Sequence, residues 1–67
     1  MEQKRLNVLM QQRMSEQNLT QERLAEMLNI STRQVNNIVR GKSDPSVRTF
    51  VKICAVLKID INSVYID

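Results

Sequence analysis

"LTQERLAEMLNISTRQVNNIVRGKSDPS", residues 19–46, holds two clusters of apolar residues at helical spacing with only a few residues between them. Thr20 suits an N-cap, because its hydroxyl can accept a bond from an otherwise unpaired N–H of the first turn. Leu24, Ala25 and Leu28 then share one side of a helix, and Asn29, which tolerates the left-handed conformation, ends it. Ile30 packs inward as the chain turns. Ser31 caps the next helix, which spans residues 32–40 and stops at Gly41.

The second of these helices separates its residues sharply. At about 100° per residue, Val35, Ile38 and Val39 converge on one side while Arg33, Asn37 and Arg40 lie opposite, with Asn36 beside them and Thr32 and Gln34 at the margins. The outward side carries the groups that read base edges in the major groove of DNA: arginine for guanine, asparagine or glutamine for adenine, a threonine methyl for the thymine methyl. A plain solvated face is the simpler explanation, but Asn36 and Asn37 are poor helix formers, and lysine or glutamate would serve solvation better by a few tenths of a kcal/mol each. With a turn as short as "LNI", the two helices have the dimensions of a helix-turn-helix spanning about residues 20–40. The small Ala25 permits the close approach that so short a turn demands.

Working outward, Leu6, Leu9, Met10 and Met14 recur at three- and four-residue spacing and predict a first helix over residues 3–17, with Val8 off the apolar stripe. "KSDPS" is a loop, since Pro45 turns Asp44 away from helical geometry. Ser46 caps a fourth helix whose inner side is expected to be Val47, Phe50, Val51, Cys54 and Leu57, with Ile53 beside them. Asp60 can cap a short fifth helix over residues 61–65. The expected fold is therefore all-α: a compact five-helix domain occupying the whole chain, residues 1–67.

Size and composition narrow the alternatives. A chain of 67 residues has room for one core. It has one cysteine, Cys54, and no histidine, so neither an internal disulfide nor the usual zinc constellations can form, and no metal or cofactor is expected. Cys54 falls in an apolar helical pattern and reads as a buried, inert thiol. No apolar run reaches the roughly 18 residues of a membrane span, and the N-terminus lacks the apolar stretch of a signal peptide, which implies a cytoplasmic protein. The formal charge is +3. It is unevenly spread: from Arg33 to Lys58 stand Arg33, Arg40, Lys42, Arg48, Lys52 and Lys58 against the single acid Asp44, which suits a polyanionic partner.

Residues 19–46 resemble the helix-turn-helix of the phage repressor and Cro family, also called the XRE family. The likeness rests on Gln21, the Leu24-Ala25 pair, the turn, Val35 and Ile38, the Arg40-Gly41-Lys42 corner and Pro45-Ser46. With the leucine pattern of the first helix and the "LKIDINSVY" ending it extends from Leu6 to Tyr65. The resemblance implies a lambda-repressor-like domain acting as a transcriptional regulator, usually a homodimer on a partly palindromic double-stranded DNA operator, with no small-molecule ligand expected. Its base-reading positions fall on Thr32, Arg33 and Asn37, with Gln34 and Asn36 as helpers. Gln21 would contact a phosphate and brace the first reading side chain. Thr20, Arg40, Lys42 and Ser43 would hold the sugar-phosphate backbone, which positions the protein without reading sequence.

Three departures from the family pattern stand out. Met14 and Val39 occupy positions where the family often has a buried arginine–glutamate pair, an exchange that removes a desolvation cost and predicts that the two side chains meet. Arg23 replaces the glutamate that would complete a capping box on Thr20, and Asn29 replaces a common glycine. One recognition helix reads only a few base pairs, so useful specificity calls for two copies about one helical turn apart. Val56, Ile59, Ile61, Tyr65 and Ile66 are the apolar residues left for a dimer contact. The alternative is a small helical protein-interaction module, such as an antitoxin or adaptor, which would show an apolar outer face on the third helix. An enzyme is disfavoured: Tyr65, the one tyrosine, has no cluster of basic partners near it in sequence.

Overall fold

The computed structural model describes residues 3–65. A two-residue strand β1 (Lys4–Arg5) leads into α1 (Leu6–Glu16), followed by α2 (Gln21–Leu28), α3 (Thr32–Val39) and α4 (Val47–Leu57), then a single 3₁₀ turn (Ile61–Ser63) and a strand β2 (Val64–Tyr65). Helices account for nearly all of the regular structure and meet around one core. Met10, Leu24, Leu28, Val35, Ile53 and Leu57 are fully buried at its centre, and Leu6, Leu9, Leu19, Ile30, Phe50 and Val56 pack half-buried around them.

Two expectations about the ends are corrected. The first helix begins at Leu6 rather than residue 3, because Lys4 and Arg5 are extended and pair in parallel with Val64 and Tyr65, in the register Lys4 to Val64 and Arg5 to Tyr65. Gln3 reinforces the seam, its Nε2 donating to the Asn62 carbonyl at 3.3 Å. Among the described residues there is also no fifth α-helix. Asp60 does cap, its Oδ1 accepting from the Asn62 N–H at 3.0 Å, but the turn it starts lasts three residues before the chain straightens so that Val64 can enter the core.

The four α-helices end alike. Each closes with an N–H bonded five residues back, Leu19 to Met14, Ile30 to Ala25, Lys42 to Asn37 and Ile59 to Cys54, at 2.8–3.0 Å. The residue before each of these donors has positive φ: Asn18, Asn29, Gly41 and Lys58, between 53° and 75°. This is the Schellman arrangement, which satisfies carbonyls left open at a helix end. Asn29 and Gly41 act as expected; Asn18 and Lys58 do the same without announcing it. Gln11 of α1 and Gln17, the C-cap of that helix, supply further donors, Gln11 to the Val39 carbonyl at 2.8 Å and Gln17 to the Leu57 carbonyl at 3.4 Å. The last carbonyls of α3 and α4 are thus tied to α1.

Helix α4 is rotated relative to expectation. Ile53, Cys54 and Leu57 are buried and Phe50 half-buried, so Ile53 belongs to the inner face, whereas Val47 is 80% exposed and Val51 also faces solvent. A stripe drawn through Val47, Val51 and Cys54 runs along the margin of the buried arc. Met14 and Val39 are both buried in the core, and the Gln11 bond sets α1 against the end of α3 that carries Val39. Cys54 is buried too, and burial pushes its thiol pKa above the ordinary 9.0.

Candidate nucleic-acid interface

Helix α3 owes its exposure to the same pattern that fixes it. Val35, Ile38 and Val39 are sunk in the core, so the opposite side must face away. Thr32, Arg33 and Arg40 are exposed there, with Asn36 and Asn37 half-buried. The start of the helix is held by a complete capping box: Ser31 Oγ accepts from the Gln34 N–H at 3.1 Å, and Gln34 Oε1 accepts from the Ser31 N–H at 2.9 Å. The Gln34 side-chain oxygen is therefore occupied in shaping the helix, while its amide nitrogen makes no bond among the described residues. The S-x-x-Q pattern of residues 31–34 announces this box.

Gln21 does brace α3, but at a different place from the one the resemblance implies. Its Oε1 accepts from Asn36 Nδ2 at 3.1 Å, partly shielded from solvent, instead of holding Thr32. Asn36 lies on the flank of α3 turned toward the start of α2, which explains the choice. Thr20 caps α2 through its hydroxyl, accepting from the Arg23 N–H at 3.1 Å. Arg23 pairs with Glu26 at 3.1 Å, so its charge is shared with an acid; both side chains are largely exposed, and the pair adds little stability.

The corner after α3 is built by backbone. The Asn37 carbonyl accepts from Lys42 N–H at 2.8 Å and Ser43 N–H at 3.3 Å, and the Gly41 N–H bonds the Ile38 carbonyl at 3.0 Å. Gly41, at φ +75°, lies so close to α1 that a Cβ there would come within 3.1 Å of the Asn7 amide nitrogen. Lys42 and Ser43 are left exposed beside Arg40. A depression lined by Gln34, Ile38, Ser43, Pro45, Ser46 and Thr49 joins the corner to the start of α4. Ser46 caps that helix, accepting from the Thr49 N–H at 3.2 Å, and the exposed Arg48 stands in its first turn. Arg48 belongs to the basic stretch from Arg33 to Lys58, and its place just after the corner makes it a candidate phosphate contact that residue type alone does not single out.

Among the described residues, Arg33, Arg40, Lys42 and Arg48 have no ion-pair partner. Exposed cations without ion-pair partners, set beside polar donors and acceptors and outnumbering the one nearby acid, Asp44, attract a polyanion. The residues proposed for a dimer contact divide. Ile59, only 6% exposed, is part of the single-chain core and is withdrawn from that set, because the Schellman turn at Lys58 directs it inward. Val56 is half-buried against the same core. Ile61 and Tyr65 remain about half exposed, with the Arg5 guanidinium 6.0 Å from the Tyr65 ring centre, and Ile66 lies outside the described residues. No helix among the described residues is long and apolar enough to cross a membrane.

Comparison with known proteins gives one match. A family model described as Helix-turn-helix matches residues 9–64, from within α1 through to β2. No curated protein and no solved structure matches the chain.

Proposed function

Because the chain belongs to the XRE family of helix-turn-helix proteins, which bind DNA and regulate transcription, we propose that it is a sequence-specific regulator of the repressor/Cro type. It lays α3 in the major groove of double-stranded DNA and acts as a homodimer. The observation that carries this reading is the outward side of α3: Arg33 and Arg40 exposed and without an ion-pair partner among the described residues, with Asn37 between them, directly opposite the buried Val35, Ile38 and Val39. Thr32, Arg33 and Asn37 touch base edges. Gln21, the start of α2, Arg40, Lys42, Ser43 and Arg48 lie along the phosphates.

A protein-interaction module on the same scaffold would call for an apolar outer face on α3, and that face is polar and basic. For the second copy, Ile61 and Tyr65 offer exposed apolar surface near the chain ends. Selection of bound duplexes from a random pool, followed by footprinting, tests the reading directly. The expected result is a partly symmetric site with half-sites about one helical turn, roughly 34 Å, apart. If each protomer neutralises about three to five phosphates, log affinity falls against log salt with a slope of roughly −5 to −9. A slope near zero, or a pool without enrichment, overturns the proposal.

A further inference from the structure

We infer that the cleft between the start of α1 and the corner after α3 binds a small apolar molecule carrying one protonated amine, and that this occupant strengthens the hold of the corner on DNA. The site stands on the cleft alone; the coupling rests on the DNA-reading role proposed above. The cleft measures about 350 Å³, within the usual range for small-ligand sites, which join apolar walls to a few convergent polar groups. Its apolar walls come from separate elements: Leu6 from α1, Pro45 from the corner, Val47 and Phe50 from α4, and Tyr65 from β2. Val47 is 80% exposed and Tyr65 47%, so apolar surface faces the cleft that the core leaves uncovered.

The polar groups fix the class of ligand. Asp44 lines the cleft, is exposed, and has neither an ion pair nor a hydrogen bond among the described residues. The Asn7 side-chain amide, also on the wall, makes no hydrogen bond among them either; its nitrogen is the atom nearest to where a Cβ on Gly41 would stand, and its oxygen is farther from that point. A carboxylate and an amide oxygen both accept, and a protonated amine has three N–H groups to give them. The Phe50 and Tyr65 rings suit an apolar body with a cation beside it. Arg5 is engaged at the seam, its guanidinium 6.0 Å from the Tyr65 ring centre, so an amine asks nothing of it, whereas an anion would face Asp44. Asp44 is also the one acid between Arg33 and Lys58, and it directly follows Lys42 and Ser43, which are proposed to lie along the phosphates. Its charge opposes a phosphate there. An ammonium bound to Asp44 cancels that opposition, and by linkage DNA tightens the amine by the same factor.

The test titrates phenylpropylamine, phenylpropanol and phenylpropionate, which share a body and differ in charge, into the full chain at constant ionic strength while backbone amide resonances are followed. The amine should move Asn7, Ser43, Asp44 and Val47, saturate, and bind about fivefold more tightly than the alcohol, the upper end for an exposed charge pair. Phenylpropionate should bind most weakly. Asp44→Asn, a change at an exposed position, should bring the amine down to the alcohol. Val47→Ser, equally exposed, should weaken all three compounds alike by about twofold, because it removes apolar wall and no charge. On any duplex that the protein retains, saturating amine should raise affinity about threefold and leave Asp44→Asn unaffected. Equal binding of amine and alcohol, tightest binding of phenylpropionate, shifts lying away from the cleft, or an Asp44→Asn protein that keeps the amine preference overturns the site. Unchanged duplex affinity at saturating amine overturns the coupling and leaves the DNA-reading role of α3 standing. If no duplex is retained, that role falls and the coupling with it, and the titration alone decides the site.

Discussion

The pair α2–α3 and the seam formed by β1 and β2 are assembled in opposite ways. In the helix pair, the caps, the turn and the apolar spacing are all local: Thr20 bonds three residues on, Ser31 bonds three residues on, and Ile30 closes on Ala25. In the seam, Lys4 pairs with Val64 from the far end of the chain, through two residues a side and with little burial beyond Val64 itself. Local wiring around a half-buried turn makes a rigid unit, whereas so short a sheet depends on the helices being formed already. The contrast teaches that the part proposed to meet DNA is also the part whose shape depends least on the rest of the molecule.

The largest expected break in that picture is Leu24→Ala. This side chain is fully buried between the two helices, and its truncation should cost about 2–5 kcal/mol, seen as a lower urea midpoint. A loss below about 1 kcal/mol would mean that the pair is not the rigid unit described. Next comes Arg33→Ala, which should weaken the selected operator by about 1–3 kcal/mol while leaving thermal unfolding unchanged. Lys42→Ala, by contrast, should weaken all duplexes similarly and reduce the salt slope by about 1. Titrations on matched and scrambled duplexes separate the two.

Gly41→Ala should destabilise by about 1–2 kcal/mol, because a side chain is strained at φ +75° and the new methyl meets Asn7. Chemical unfolding measures it. Lys58→Gly should act in the other direction and raise stability by about 0.5–1 kcal/mol, since the left-handed position at the end of α4 carries a side chain that disfavours it. Native-state hydrogen exchange would sharpen the comparison most finely: amides of α2 and α3 should open only with the whole protein, and those of β1 and β2 at lower free energy. Equal protection in both regions would refute the distinction.

What was legible in the chain follows the same division. Helices α2 and α3, their caps at Thr20 and Ser31 and their ends at Asn29 and Gly41 are written in neighbouring residues, and so is the outward face of α3. The β seam is not, because nothing near Lys4 says that Val64 will lie beside it. Lys58 gives no hint of a left-handed turn, since its side chain has no preference for one; Ile59 shows its direction only once that turn is known. Val47 and Val51 repeat at helical spacing but stand on the shoulder of the buried arc, a rotation set by tertiary contact. At the candidate interface, residue types point to the side of α3 that the fold leaves exposed, whereas the bond of Asn36 to Gln21 is made across the fold. The Gln34 box could have been anticipated from Ser31; the reach of Gln21 to Asn36 required the packing angle of two helices.

The parallel pairing of Lys4 with Val64 sets the first and last described strands side by side, about one interstrand spacing of 4.8 Å apart. A few linking residues would close the chain into a ring, and reopening that ring at the turn around Asn18 would give a rearranged gene product with the same interior. Reopened at Lys42 instead, the ring would keep its core and break the corner proposed to lie along the phosphates.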